Sequence, residues 1–503
     1  MAVTGDGRYD TNLGPDADQF RWLVSDAPFQ SLPAQTFMRD YFEPRLTQRL
    51  TDCTTARNCD QVLKPIPSIA KLNRALPVTR ITGVQPGEKP GTVEVQFEIR
   101  ERTANGRRSG VFNPRLFLNN RFVAHVPDEP FTESETLEQW RELNRIPKQG
   151  DDGVYRFSFV EPIPTGGSDR LVFSAYAFNE DRVKGDTATF TYVRPPMPKR
   201  KPRAFVVTIG VDAYDEPRLE LNYAVADARL IADRLAAIPG YEMRHAMLAG
   251  AKRPDGSRQQ MTREMINSAL GILAGMDPGP EIQELAQAGI DASALDNATP
   301  DDIVIVSFSG HGWADPKGNF YLVPSNGKWA DGTGTPDTAS LVSAATLTMW
   351  LRAIKAGEIA FIIDACHSGA SVDSGSFKPG PMGDSGLGQL AFDKGIRILA
   401  ATQAKDVALE NAQLGQGLLT AALGKGLTPQ GGPADLNGDR RITLDEWLRY
   451  AVQELPRLAK GAGAARGFTI TQRPTAAAKP VVQEPALFDF TNATSPVVLR
   501  GAQ

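Results

Sequence analysis

Residues 361–370 read FIIDACHSGA, and residues 303–312 read IVIVSFSGHG. A short run of β-branched and other apolar residues leads into each segment: Ile359–Ile363 ends inside the first, and Ile303–Phe308 begins the second. Polar and reactive side chains follow each run. Runs of this length and composition are typical of strands that are buried on both faces of a parallel sheet. The two segments therefore predict an α/β fold.

Reactive side chains follow both predicted strands: His311 comes after the first and Cys366 after the second. Ligands of open α/β sheets bind outside the carboxyl ends of the strands, so we expect the two side chains to meet there. The imidazole can take the thiol proton and later protonate a leaving amine. The N–H groups of Gly312 and Cys366 are candidate donors to the oxyanion. The pattern predicts a cysteine peptidase; the alternative is a packed thiol and a structural histidine.

The segments Ser309–Gly312 (SGHG) and Asp364–Gly369 (DACHSG) resemble the caspase-like peptidases, specifically their bacterial and metacaspase branch. Caspases proper carry a Gln-Ala-Cys-Arg-Gly type of signature. The resemblance covers about residues 203–455 and is supported by Ala204–Val211, Leu221–Asp227 and Gly417–Leu427. It implies a mainly parallel sheet between helices, with His311 as the base and Cys366 as the nucleophile.

The resemblance also implies a substrate pocket. In metacaspase-like members, an aspartate two residues before the nucleophile lies in the pocket for the side chain that precedes the scissile bond, and Asp364 occupies this place. A carboxylate there favours arginine or lysine and repels aspartate. Asp227 corresponds to a second acidic pocket residue, with a helix-surface carboxylate as the alternative. We therefore expect cleavage of proteins or peptides after arginine or lysine.

Two lysines are candidate self-cleavage sites. Residues 371–388 are rich in glycine, serine and aspartate, and in the caspase-like family the chain is cut in this region. Lys378 is the basic residue there, although Pro379 makes the bond after it a poor substrate; Lys394 is the other candidate. The basic, proline-rich linker 196–202 is either a spacer or a site of proteolytic activation.

The segment Asp435–Glu446 has the spacing of an EF-hand loop. Arg440 departs from this pattern, because the loop usually has glycine there for its sharp turn. Two interpretations stay open: a Ca²⁺ site, or an aspartate-rich loop that caps a helix over Thr443–Glu454. The peptidase chemistry itself requires no cofactor. The predicted calcium ligands are Asp435, Asn437, Asp439, Thr443 and Glu446.

The chain divides into five predicted segments. Apolar and polar residues alternate from Val93 to Arg100, and further strand-like runs follow, which together predict an all-β immunoglobulin-like sandwich. Such domains more often bind other proteins or support the structure than catalyse reactions, so a regulatory protein is a candidate partner. The segments are an N-terminal connector (1–78), the sandwich (79–195), the linker (196–202), a caspase-like domain (203–455) and a C-terminal tail packed on the body (456–503).

Composition and the first residues of the chain indicate where the protein is located and which classes of partner it does not bind. The chain has 503 residues, of which 41% are hydrophobic, and this composition is typical of a soluble globular protein. Its net charge of −4 argues against a general nucleic-acid binder. No apolar stretch approaches the roughly 18–20 residues of a membrane helix. The first residues lack the features of a signal peptide, so we expect a cytoplasmic protein. Cys53 and Cys59 are expected to be free thiols, with a small disulfide loop in an oxidising compartment as the alternative.

Two other functions remain open from the sequence. The first is a catalytically silent scaffold or interaction protein, because some caspase-like domains serve that role; intact His311 and Cys366 argue against it. The second is a Ca²⁺-gated peptidase, which differs from the main hypothesis only in the role of residues 435–446.

Overall fold

The computed structural model covers the whole chain. It describes all residues except 12–19, 25–26, 44–45, 58, 60–62, 64, 128–135, 278, 280, 289–293, 316–318, 330–334, 368–384, 402–409, 412–414, 429–430, 465–484, 492–494 and 501–503.

The N-terminal segment contains short strands and two helices, and the first helix packs against the main sheet. A disulfide joins Cys53 to Cys59, which contradicts the expectation of two free thiols. Helix α2 ends at Ala56, and Arg57 turns the chain back with a φ of 55°, so that the two cysteine Cα atoms are 4.7 Å apart. The elements are β1 (Ala2–Val3), β2 (Tyr9–Asp10), β3 (Arg21–Val24), β4 (Ala27–Pro33), α1 (Met38–Tyr41) and α2 (Leu46–Ala56).

Two antiparallel sheets follow and share one hydrophobic core. The first has the order β11–β6–β5 and the second the order β10–β9–β12–β13. The elements are β5 (Val78–Pro86), β6 (Thr92–Arg100), β7 (Thr103–Ala104), β8 (Arg107–Arg108), β9 (Phe112–Leu118), β10 (Arg121–His125), α3 (Leu137–Asn144), β11 (Val154–Pro162), β12 (Arg170–Phe178) and β13 (Ala188–Val193). We refer to this unit as the sandwich.

The apolar and polar residues that alternate along β6 lie on opposite faces of the strand, as the sequence predicts. Its apolar residues are buried in the shared core, whereas its polar residues lie toward the other face. Asn119 and Asn120 both have positive φ and form the tight turn between β9 and β10, as two-residue hairpin loops require.

The third unit is built on a nine-stranded sheet with the main order β16–β15–β14–β17–β20–β21–β25. The five strands from β15 to β21 in this order are parallel. The strands of this sheet are β14 (Arg203–Val211), β15 (Glu242–Lys252), β16 (Arg258–Gln259), β17 (Ile303–Ala314), β18 (Phe320–Leu322), β19 (Val342–Ser343), β20 (Glu358–His367), β21 (Arg397–Ala400) and β25 (Ala486–Asp489). Two separate two-stranded sheets pair β22 (Glu410–Asn411) with β23 (Gln416–Gly417) and β24 (Arg441–Thr443) with β26 (Val497–Arg500).

Helices cover both faces of this sheet. On β14, Phe205 and Val207 pack with α5 and α7, whereas Ala204 and Val206 pack on the opposite face with α4, α9 and α10. This double burial explains why the strands read as continuous apolar runs. The helices are α4 (Ala224–Arg234), α5 (Arg263–Leu273), α6 (Glu281–Gln287), α7 (Ala344–Ala353), α8 (Ser385–Lys394), α9 (Leu418–Gly426) and α10 (Leu444–Ala464).

The two strands that matter most are longer than predicted. The sequence placed their ends at Phe308 and Ile363, but β17 continues to Ala314 and β20 to His367. The extension has a physical reason: β18 pairs antiparallel with the last residues of β17, and β20 stays paired with β17 in parallel. Tertiary pairing thus supplies the backbone hydrogen bonds that a loop would have left to water.

The C-terminal tail contributes to the body in two places. Strand β25 pairs antiparallel with β21 at the edge of the main sheet, and β26 pairs with β24. Within the described residues, none of the helices is both long and apolar enough to cross a membrane.

The sandwich contacts the third unit through charged and polar groups. Arg121 is ion-paired with Glu358, and Lys355 with Glu161. The carboxylate of Asp301 accepts hydrogen bonds from the sandwich loop after β11, at Thr165 and Gly166. These contacts lie at or just before the amino ends of β17 and β20.

Candidate active site

His311 and Cys366 occupy matching positions on neighbouring strands. They are direct Cα partners in the parallel register of β17 and β20. Pairing of β17 with β14 ends at Ser309, and pairing with β18 begins at Gly312, so His311 lies where one neighbour replaces the other. The backbone thus brings the two predicted reactive residues to the same level of the sheet.

The imidazole of His311 is held in one orientation. Its Nε2 lies 2.7 Å from the carbonyl oxygen of Leu219. Because a carbonyl can only accept a hydrogen bond, Nε2 carries the proton and Nδ1 has the free lone pair. The Tyr214 hydroxyl oxygen accepts a hydrogen bond of 3.0 Å from the His311 backbone N–H. No described residue forms a hydrogen bond with Nδ1.

Burial controls the protonation of this histidine. The side chain is 8% exposed, and desolvation lowers the pKa of His311 to about 4, although the Leu219 carbonyl opposes the shift. The neutral imidazole, which is the form able to accept a proton, therefore predominates at neutral pH.

The backbone near His311 leaves no room for a larger residue at position 310. A Cβ on Gly310 would lie 3.0 Å from the Tyr214 hydroxyl and 3.1 Å from the Phe308 ring. Gly312 follows in the same strand and pairs in register with His367 on β20 and Leu322 on β18.

The two predicted pocket aspartates lie close together. Asp364 and Asp227 are 7% and 4% exposed, so Asp227 is not a surface carboxylate of α4. A Cβ on Gly417 would be 2.7 Å from Oδ2 of Asp364 and 3.0 Å from Oδ2 of Asp227. The sum of these distances limits the separation of the two oxygens to about 5.7 Å. The tertiary structure thus joins carboxylates from β20 and α4 beside the start of α9.

Hydrogen bonds hold both aspartates. The backbone N–H and the hydroxyl of Thr420 donate to Oδ2 of Asp364, at 3.1 and 2.9 Å. The backbone N–H of Gly417 donates to Oδ1 of Asp227 at 2.9 Å. Burial raises the pKa of Asp364, while the two hydrogen bonds from Thr420 favour its ionised form.

Lys394, one of the candidate self-cleavage sites, is buried at the end of α8. Its ammonium donates to the carbonyl oxygens of Phe122 and Arg352, at 2.9 and 2.8 Å. A protease cannot reach this bond without unfolding the helix end, which argues against cleavage there. The other candidate, Lys378, lies outside the described residues.

The predicted calcium loop has one feature of an EF-hand. Arg440 adopts a φ of 63°, and the Asp435 carboxylate accepts the backbone N–H groups of Gly438, Asp439 and Arg440. The loop therefore turns without the usual glycine. However, Glu446 accepts hydrogen bonds from Thr443, as a helix cap would. Among the residues that the structure describes, no three acidic, histidine or cysteine side chains converge as a metal centre.

Three contributors to the site gave no signal in the sequence. The Leu219 carbonyl belongs to the backbone and has no residue-type preference. Tyr214 and Thr420 are distant in sequence from the residues they contact. Only the fold could reveal these contacts.

Comparison with known proteins identifies a family for the third unit. The family model of the caspase domain matches residues 203–455. Caspase-1 from Spodoptera frugiperda is 13% identical, with a TM-score of 0.31, covering 58% of this chain and 90% of that one. A structure of pro-sf-caspase-1 is 13% identical, with a TM-score of 0.33, covering 62% of this chain and 98% of that one. No curated protein matches the chain.

Proposed function

The chain belongs to the caspase domain family of cysteine peptidases, and on that premise we propose that it is an endopeptidase with His311 as base and Cys366 as nucleophile. The observation that carries this proposal is the shared register of the two residues on β17 and β20. The orientation of His311 supports it further, because the bond to Leu219 leaves Nδ1 as the proton acceptor.

The first half of the proposed reaction forms an acyl-enzyme. Nδ1 of His311 takes the proton of the Cys366 thiol, and the sulfur attacks the carbonyl carbon of the scissile peptide bond. The oxygen gains negative charge, which the N–H groups of Gly312 and Cys366 stabilise. The tetrahedral intermediate collapses, the C–N bond breaks, and the imidazolium protonates the leaving amine.

The second half regenerates the enzyme. His311 takes a proton from a water molecule, whose oxygen attacks the thioester carbon. Collapse of this second tetrahedral intermediate breaks the C–S bond. The proton returns from the imidazolium to the sulfur, and the carboxylic acid product leaves.

We further propose that the enzyme cleaves after arginine or lysine. Two buried carboxylates, Asp364 and Asp227, lie within about 5.7 Å of each other near the carboxyl end of β20. A buried acidic pair attracts a cation strongly and repels an acidic side chain. Asp364 also supports assignment to the metacaspase-like, bacterial branch.

The decisive experiment is hydrolysis of fluorogenic peptides that end in arginine, lysine or aspartate. We expect hydrolysis of the first two, and loss of at least about a thousandfold in kcat for Cys366→Ala and His311→Ala. Activity on the aspartate peptide alone would contradict the specificity, and activity that survives Cys366→Ala would contradict the mechanism. Failure of Cys366 to react with an arginine chloromethyl ketone would favour the silent-scaffold alternative.

The Ca²⁺-gated alternative rests on the loop conformation around Asp435, and no step of the mechanism needs the ion. Chelation should abolish activity, calcium should restore it, and Asp435→Ala should prevent the restoration if this alternative is right. Activity that is unchanged by chelation would exclude calcium gating.

Self-processing remains a proposal for the region around Lys378, because the burial of Lys394 argues against the other site. Mass spectrometry of the active enzyme tests it: a single intact chain contradicts processing and a zymogen form. The same experiment tests activation at the linker 196–202, where cleavage would cut the chain between the sandwich and the caspase domain.

We also propose a cellular location for the protein and a role for the sandwich. The Cys53–Cys59 disulfide supports an oxidising compartment rather than the cytoplasm expected from the sequence.

The strand order of the sandwich differs from that of a constant-type immunoglobulin domain. If the short hairpin of β7 and β8 is not counted, β10 is the fourth strand, and it lies in the second sheet. Constant-type domains keep the fourth strand in one sheet with the first, second and fifth strands. This order supports a variant of the immunoglobulin-like sandwich. Its outer surface is the candidate site for a regulatory protein.

A further inference from the structure

The start of helix α9 contacts both pocket aspartates. Gly417 donates its backbone N–H to Asp227, and Thr420 donates its N–H and hydroxyl to Asp364. The helix runs from Leu418 to Gly426, so its N-terminal end faces the two carboxylates. Two carboxylates at this separation in a buried site repel each other when both are ionised, and hydrogen-bond donors stabilise the ionised form.

Thr420 acts on only one of the two oxygens of Asp364. Both of its donors reach Oδ2, at 3.1 and 2.9 Å. Two bonds to the same oxygen fix the rotation of the carboxylate and therefore the direction in which Oδ1 points. Thr420 is itself 1% exposed and cannot easily reorient.

We propose that Thr420 is a positioning residue for substrate specificity, which orients the Asp364 carboxylate so that it prefers arginine over lysine. This inference rests on the proposed function, because it assumes that Asp364 binds the basic side chain. Because Thr420 already fills the acceptor positions of Oδ2, Oδ1 is the oxygen that faces the substrate. Arginine presents a planar fork whose two N–H groups can converge on that oxygen only when it points in the right direction. The ammonium of lysine is a compact point charge and depends much less on that rotation.

Gly417 supports the same arrangement by having no side chain. A Cβ at this position would approach Oδ2 of Asp364 at 2.7 Å and Oδ2 of Asp227 at 3.0 Å. Gly417→Ala must therefore displace one or both carboxylates. Unlike a change at Thr420, it is expected to weaken binding of arginine and lysine alike.

The test measures kcat and KM of the full chain on matched arginine and lysine peptides. Thr420→Val keeps the shape of the side chain and removes the hydroxyl. We expect KM for the arginine peptide to rise about tenfold and KM for the lysine peptide about threefold or less, with kcat nearly unchanged. Thr420→Ser, which restores the hydroxyl, should return the arginine-to-lysine ratio to within about twofold of the wild type.

Thr208→Val is the matched control. Thr208 is 1% exposed on β14, and its hydroxyl has no hydrogen-bond partner among the described residues. This control should leave both KM values unchanged. An arginine-to-lysine ratio that stays at the wild-type value in Thr420→Val would overturn the proposal.

A second measurement separates this inference from the proposed function. Benzamidine, a planar amidinium cation, is titrated against Cys366→Ala protein, which cannot turn over substrate, and the shift in melting temperature is recorded. The shift should be smaller in the Thr420→Val background than in the Thr420→Ser background. A wild type that hydrolyses neither basic peptide contradicts the proposed function, whereas equal benzamidine shifts in the two backgrounds contradict the role of Thr420.

Discussion

Arg121 of the sandwich is ion-paired with Glu358, the first residue of the strand that leads to Cys366. The other carboxylate oxygen of Glu358 pairs with Arg397, the first residue of β21, at 2.7 Å. One buried carboxylate thus connects the sandwich to two neighbouring strands of the peptidase sheet. The sandwich is therefore attached to the amino end of β20, opposite the end that carries the proposed nucleophile.

Arg121→Ala should destabilise the protein. It removes one of the two cations that pair with Glu358, and we expect the free energy of unfolding to fall by about 1–3 kcal/mol, because Arg397 still pairs with the carboxylate. Denaturant unfolding measures this change. Arg170→Ala is the control, since Arg170 is exposed on β12, and it should change stability by less than about 0.5 kcal/mol. Equal effects of the two substitutions would show that the ion pair contributes nothing.

The burial of His311 should make stability depend on pH. Its pKa is about 4 in the folded protein and about 6.5 when unfolded, so the unfolded chain binds more protons between these values. Stability should therefore be lost as pH falls from about 6.5 to about 4, by up to about 3 kcal/mol. Unfolding of Cys366→Ala protein at several pH values measures this loss. His311→Ala should make this loss smaller without abolishing it, because burial also lowers the pKa of His125, to about 3. His245→Ala should leave the loss unchanged.

Lys394 should contribute a second pH dependence in the alkaline range. Burial is the main cause that lowers its pKa to about 7, far below the value of about 10.4 expected for the unfolded chain. The unfolded state binds more protons between these values, so stability should rise with pH from about 7 to about 10. Comparison of unfolding at pH 7 and pH 9 should show this rise in the wild type and not in Lys394→Met. The exposed Lys328→Met should behave like the wild type; a rise that survives in Lys394→Met would contradict the assignment.

The disulfide fixes the number of reactive thiols in the denatured protein. The chain has three cysteines, so the denatured, unreduced protein should expose one reactive thiol, that of Cys366, and the reduced protein three. Thiol titration tests this count. The double variant Cys53→Ser/Cys59→Ser should lose roughly 2 kcal/mol of stability, as expected for such a short loop. Three reactive thiols in the denatured, unreduced protein would contradict the disulfide and support free cysteines.

Much of the fold could be predicted because its signals are local. The apolar runs before His311 and Cys366, and the alternation in β6, depend on neighbouring residues along the chain. The lengths of β17 and β20 could not be predicted, because their final residues are strands only through pairing with each other and with β18. The disulfide was misjudged for a similar reason: the reversal at Arg57 that brings Cys59 back to Cys53 has no clear sequence signal.

The sequence by itself determined the class of fold, the family and the identities of the candidate reactive residues, because side-chain chemistry and strand periodicity can be read directly from residue order. Only the tertiary structure decided how those residues meet. It placed His311 and Cys366 in one register and assigned the proton on His311 through the Leu219 carbonyl. It also joined two carboxylates from separate elements beside Gly417. Such contacts arise from packing between segments far apart in the chain, and residue order alone does not specify them.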